Sequence, residues 1–134
     1  MLTNAAITIF NRYPDKEQKK FTYVPHILED IWFHTAQKAT VSDGKLDSAD
    51  EYKIRVPFPR DGWVPPERYR NLEKLENHWT VQKEDFFILG VWEHGEVSNV
   101  SEIKKKFSGV VGTVLNYSEN FFGNSPHIRV GGGS

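Results

Sequence analysis

The chain contains no cysteine. This removes disulfide scaffolds, thiolate zinc sites and cysteine nucleophiles together, and it fits a reducing compartment. No apolar run approaches the roughly 18 residues of a membrane-spanning helix. The opening MLTNAAITIFNRY lacks the basic start and long apolar run of a secretory leader. A soluble protein made in a cytoplasm is the expectation. Neither sign of charge dominates: 17 Lys and Arg face 18 Asp and Glu, a net charge of -1, so no whole-molecule field exists to hold a polyanion. Local basic patches remain open.

Sequence signatures of chemistry are equally scarce. There is no Gly-x-Gly-x-x-Gly, P-loop or Gly-x-Ser-x-Gly motif. Gly109–Thr113 (GVVGT) echoes a glycine-rich turn without the lysine and helix that would hold phosphate. His26, His34, His78, His94 and His127 form no H-x-H or H-E-x-x-H pair, the spacings that place two imidazoles on one face. Asp43, Asp47, Asp50 and Glu51 crowd together, but their spacing fails the calcium loop and reads as a solvated turn. No pair of carboxylates is singled out for glycosidase work. No catalytic residue, metal or cofactor is expected, and the chain reads as a non-enzyme.

What is present is aromatic and branched material in short alternating runs. Aromatics make up 13% of the 134 residues, favouring strands and large contact areas in a single domain. Ile7, Ile9 and Asn11 alternate with Thr8, Phe10 and Arg12, a strand period. Tyr13–Lys20 is a polar turn, and FTYVPHIL resumes extended, with Pro25 confining it to an edge or bulge. Asp30–Val41 reads as a strand, and Ser42–Lys45 (SDGK) carries turn chemistry. Tyr52, Ile54 and Val56 face one way and Lys53 and Arg55 the other, until Pro57 and Pro59 stop the ladder. In PPERYRNLEKLENHW, Tyr69, Leu72, Leu75 and Trp79 have helical spacing behind Pro65-Pro66, predicting a short helix. Phe86–Trp92 reads as the most buried strand. Ser98–Phe107 predicts a second helix, with Asn99 and Glu102 in a capping-box pattern, Lys104, Lys105 and Lys106 at its C-terminal end and Gly109 as its stop. VVGTVLNY and HIRV close the chain as strands. The terminal Gly131–Ser134 is expected to be a flexible tail after a single domain spanning residues 1–130. Mainly β, a small closed or rolled β-barrel with one or two short helices is the predicted fold.

The loop FPRDGWVPPERY places Phe58, Arg60, Trp63, Val64 and Tyr69 where strand periodicity has ended and prolines stiffen the backbone. Phe121 and Phe122 occupy a second turn-rich segment, Asn116–His127. These side chains either fold back as a lid on the barrel or anchor a protein partner, since rigid aromatics gain contact area at low entropic cost. Lys104–Lys106 reads either as a solvated helix end or as a contact for DNA phosphates or an acidic partner.

Taken in order, NAAITIFNRY, DIWFHTAQKATVSDGKLDSADEYKIRVPF, WTVQKEDFFILG, SEIKKKF and HIRVGG resemble a family of small minor capsid proteins from the head–tail module of tailed phages and prophages of Gram-positive bacteria. The likeness covers nearly the whole chain. It departs at Glu29-Asp30, where members usually carry glycine, and at Ile128, where a Trp is frequent. The resemblance implies a virion structural protein of the neck at the head–tail junction: a head-closure (stopper) or connector β-barrel, assembled as a dodecameric ring. Such a ring contacts the portal or adaptor above and the tail below. Packaged DNA passes through its lumen without sequence-specific binding, and no membrane is involved. A tail-completion or tail-terminator protein is the alternative within that class. A small ligand-binding β-barrel is the alternative outside it.

Overall fold

The computed structural model describes residues 3–15, 19–42, 45–75 and 77–133, with side-chain surroundings described outside the stretch 36–50. Six strands, β1 (Ala5–Asp15), β2 (Lys20–Ser42), β3 (Lys45–Pro57), β4 (Phe86–Leu89), β5 (Val111–Asn120) and β6 (His127–Gly133), close into a barrel in the order β1-β2-β3-β6-β5-β4. Every pairing is antiparallel. Two short helices, α1 (Pro66–Tyr69) and α2 (Val100–Lys106), complete it. The mainly β barrel expected from the strand pattern is what forms.

Alternation fills the interior. Ile7 and Ile9 from β1, Leu28 and Phe33 from β2, and Tyr52, Ile54 and Val56 from β3 meet Phe87, Val114, Ile128 and Val130 in one buried cluster. A second cluster lies on the outer face of β1 and β4, where Ile103 of α2 packs with Phe10, Ile88, Trp92 and Val97. This helix covers what would be the wet face, so β1 is buried on both sides at Ile7–Asn11.

Phe87 sets the barrel's glycines. A Cβ built on Gly112 would lie 2.4 Å from its ring, and one on Gly132 would lie 2.6 Å from it. The ring therefore rests on bare backbone in β5 and β6. This corrects the expected flexible tail: Gly131–Gly133 are strand residues, paired with Glu51–Lys53 on one side and with β5 on the other. Glycine is a weak strand former in general, and it is required where a ring approaches this closely. Ser134 lies outside the described residues. Gly112 likewise sits inside β5, so GVVGT forms no phosphate-holding turn.

β2 runs unbroken for 23 residues by changing partners. It pairs with β1 as far as Ile31 and with β3 from Trp32. At the corner Asp30 adopts φ 54, a left-handed conformation that aspartate tolerates better than most residues. The register of β1 slips opposite this corner, between Ala5 and Ile7. Pro25 lies on a stretch of β2 whose only strand partner is β1, the edge placement its missing N–H predicts. The Asp43-Gly44 turn lies outside the described residues, but the hairpin around it closes at Ser42↔Lys45.

The helix predicted over PPERYRNLEKLENHW shrinks to one turn, Pro66–Tyr69. Trp79 is drawn away into a bridge with Trp63: Val64 N donates to Trp79 O at 3.0 Å, and Trp79 N donates to Gly62 O at 2.9 Å. Asn77 takes φ 64, and Trp79 joins the barrel core, tertiary packing overriding a weak propensity. β4 is also shorter than the run Phe86–Trp92. It stops at Leu89, and Thr8 Oγ1 donates to Gly90 O and accepts from Trp92 N, turning Trp92 edge-on to Phe10. α2 is capped as expected by Asn99, which accepts from Glu102 N at 3.1 Å, while Glu102 accepts from Ser98 N at 2.8 Å. Gly109 does not supply its stop. The helix ends at an extended Phe107, whose ring folds back to within 2.9 Å of a Cβ at Gly109.

Just before β4 begins, a buried polar cluster closes the barrel. Asn11 Nδ2 donates to Thr80 O (2.7 Å) and to Asp85 Oδ2 (2.9 Å), and Asn11 Oδ1 accepts from Thr80 N (3.0 Å). Asp85 also accepts from Arg12 N and Gln82 Nε2. Asn11, Thr80 and Asp85 are fully buried.

Candidate interaction surfaces

Topology gives the barrel two unlike ends. The last pair between β3 and β6 is Glu51↔Gly133. Beyond it β2 and β3 continue as a two-stranded ribbon for six further residue pairs, Gln37↔Asp50 to Ser42↔Lys45, about 20 Å. Among the described pairings the ribbon strands have only each other. The opposite end carries the loop after Pro57 and the β5–β6 turn, joined where Phe58 N donates to Pro126 O.

At that end the structure brings together three of the aromatic residues singled out in the sequence. Phe58 stacks on Phe121 at 4.2 Å between ring centroids, and Trp63 stands edge-on to both, at 5.8 and 5.6 Å. All three pack on the barrel core as a lid. Val64 is buried too. Tyr69 is fully buried, and its hydroxyl sits 2.7 Å from His26 Nε2 inside the fold. Tyr69 and Val64 therefore leave the set of surface contacts. Arg60 is half-buried, its guanidinium donating to Glu29 O at the β2 corner. Phe122 alone stands free, 96% exposed. Lys104, Lys105 and Lys106 are exposed on the last turn of α2.

Two features were not found from the sequence. On the barrel's outer wall Arg55 lies over the Trp32 ring at 4.8 Å, and Trp32 stacks on His34. The signal available was the outward alternation of Trp32 and His34 beside Lys53 and Arg55. The second is a cleft of about 390 Å³ between Pro25–Leu28 of β2 and the loop residues Arg60, Asp61, Asn77, His78 and Trp79. With Trp92 also lining it, it joins four distant segments, so no spacing announces it. His78 Nδ1 is buried there without a partner. Among the described residues no group of three or more His, Asp or Glu could hold a metal ion. No helix there is long and apolar enough to cross a membrane.

Burial, followed by the nearby His78, pushes His26 down to about 4 from 6.5. Burial pushes Asp85 up to about 6 from 3.8, against the hydrogen bonds of Asn11, Arg12 and Gln82. The two act oppositely over one pH window. The folded state holds the Asp85 proton more tightly than the unfolded chain, so this term stabilises in acid and fades as pH rises through 6. It holds the His26 proton less tightly, so that term fades as pH falls from 6.5 toward 4. Each shift is worth about 3 kcal/mol. In urea titrations at pH 4, 5 and 6.5, Asp85→Asn should therefore lose about 3 kcal/mol more than the parent chain between pH 6.5 and 4. His26→Gln should show the reverse difference. Parallel pH profiles for all three chains would refute the assignment.

A small antiparallel barrel with a filled interior, a ribbon at one end and an aromatic lid at the other is the class of protein that the fold defines. The chain belongs to the family of unknown function DUF6751, whose model matches residues 2–133, the strand glycines included. No curated protein matches the chain. No solved structure matches it either.

Proposed function

We propose that this protein is a non-enzymatic structural component of a tailed-phage neck, a barrel repeated around a ring that joins head to tail in the virion and retains packaged DNA. The observation that carries the reading is the β2–β3 ribbon, which continues six residue pairs past the closed barrel. An isolated two-stranded hairpin is marginal in water, so a ribbon of this length is best explained by a neighbour that covers it. The resemblance of the motif string to minor capsid proteins supports this choice of assembly. The interior supports it as well: Phe87 on its glycines fills the space in which a ligand-binding barrel would need a cavity. Near-balanced charge suits a lumen through which DNA must slide. In this reading the portal or adaptor protein lies on one side and the tail on the other. The free Phe122 is the contact reaching an adjacent component, a role that Trp63 cannot fill while it serves the lid.

The test uses particles released by a host strain that encodes the chain. Mass spectrometry should find it in purified virions, and labelling should place it at the head–tail junction. Its deletion should yield tailless heads that leak DNA. Phe122→Ala should fold with an unchanged melting temperature yet lower the yield of joined particles about tenfold or more, since central exposed aromatics dominate such contacts. Virions lacking the chain, or full infectivity without it, would overturn the reading. A symmetry matching the tail in place of the neck would assign it as a tail terminator.

A further inference from the structure

The cleft beside β2 is also an open sheet edge. Tyr23 exchanges two backbone hydrogen bonds with Val97, at 2.8 and 3.1 Å, on the side of β2 away from β1. Antiparallel strands alternate the direction of their backbone groups, and the register from Leu28 back to Lys20 is unbroken. The C=O of Pro25 and both backbone groups of Ile27 therefore point the same way as those of Tyr23, into the cleft. Among the described residues no hydrogen bond reaches them, and Ile27 is 47% exposed. This open strip starts at the Val97 bridge and ends at Glu29, whose C=O is taken by Arg60. It has room for a strand of about five residues, roughly 17 Å.

We infer that this cleft accepts the β2–β3 ribbon of a second copy of the chain by strand addition, an inference that rests on the ring reading above. Three observations select that occupant. The ribbon is a pair of strands whose outer edges face no other strand among the described pairings, and its six pairs are long enough to fill a strip of about five residues. Ribbon and cleft lie at opposite ends of the barrel, so a copy cannot satisfy its own cleft, and passing the ribbon head-to-tail is the kind of contact that closes into rings. The ribbon sequences QKATVS and KLDSAD are mostly polar and carry no aromatic ring, suited to a narrow groove that offers backbone groups to a partner strand. The barrel axis then runs along the circumference of the ring, each ribbon reaching the lid end of the next copy.

Two variants test this. Ile27→Pro removes the donor facing the cleft and leaves the β1 ladder intact, because that N–H points away from β1. A ribbon-shortened chain joins Gln37 to Asp50 through Asn-Gly. Melting and near-ultraviolet circular dichroism establish that each remains folded. Sedimentation is followed up to about 1 mM, where even weak specific contacts are populated. The parent chain should self-associate, and each variant alone should do so at least about tenfold more weakly. A mixture of the two variants should stop at a heterodimer, one supplying the ribbon and the other the cleft. Either variant assembling like the parent overturns the inference, as does a monomeric parent chain, or a mixture that grows past two. If Ile27→Pro instead loses only an adaptor or tail protein, a different polypeptide occupies the cleft and the second-copy assignment falls. A monomeric chain still found in virions sinks this inference alone. Self-association by a chain absent from virions sinks the neck reading alone.

Discussion

Gly132→Ala should cost about 3 kcal/mol, and Gly132→Val should leave the chain largely unfolded. The added methyl would sit 2.6 Å from Phe87 Cε1 and Cζ and 3.2 Å from Thr113 O. The ring has nowhere to go: Gly112 supports it, with ring atoms 2.4 to 2.9 Å from where a Cβ would stand, and Tyr52 meets it edge-on at 5.7 Å. Overpacking a close-packed interior usually costs 1–3 kcal/mol, and a site bounded by backbone belongs at the upper end, about 3 kcal/mol. The clash should be relieved by shrinking its other partner. Phe87→Leu on the Gly132→Ala background should recover stability, with a coupling energy of about 1–2 kcal/mol in a double-mutant cycle. Urea denaturation followed through tryptophan fluorescence provides the readout. A Gly132→Ala chain within about 0.5 kcal/mol of the parent would mean that the ring does not lie on this strand.

That glycine also marks where the sequence stops being readable. Strand β3 was legible because Tyr52, Ile54 and Val56 bury one face while Lys53 and Arg55 stay wet. The cap of α2 was legible because Asn99 and Glu102 act on their own turn. Gly131–Gly133 carry no pattern of their own, and the need for glycine at 132 is imposed by Phe87, a side chain from another strand. Local spacing equally misled at Trp79, which the barrel core claims although its position would suit a helix. For the candidate site, the sequence marked out Phe58, Trp63, Phe121 and Phe122 as unusual. It could not divide them, because lid and free contact differ only in which neighbours the two loops acquire on closing. The cleft was illegible for the same reason: its open strip exists because β3 pairs with β2 only from Trp32↔Arg55 and ends at Pro57, leaving the β2 edge at Ile27 with a loop opposite it in place of a strand.

Asn11→Ala should cost about 3–5 kcal/mol, although it deletes only a small polar group. The side-chain amide stands in for a peptide unit. Beyond the Phe10↔Phe86 pair β1 has lost β4, and Asn11 continues the ladder by donating to and accepting from Thr80 at 2.7 and 3.0 Å. Its second hydrogen goes to Asp85 Oδ2. Truncation orphans the Thr80 N–H and C=O and withdraws one donor from a buried carboxyl, all in a region closed to water. Asn11→Asp is nearly isosteric and should be worse at neutral pH, because an oxygen then faces both Thr80 O and Asp85 Oδ2. It should recover part of the loss in acid, where protonation restores a donor, whereas the deficit of Asn11→Ala should change less with pH. Urea midpoints at about pH 5 and 8 separate the two cases, since a carboxyl pair this close cannot carry two charges. An Asn11→Ala chain within about 1 kcal/mol of the parent would show that water enters the gap and that the barrel closes there by apolar packing alone.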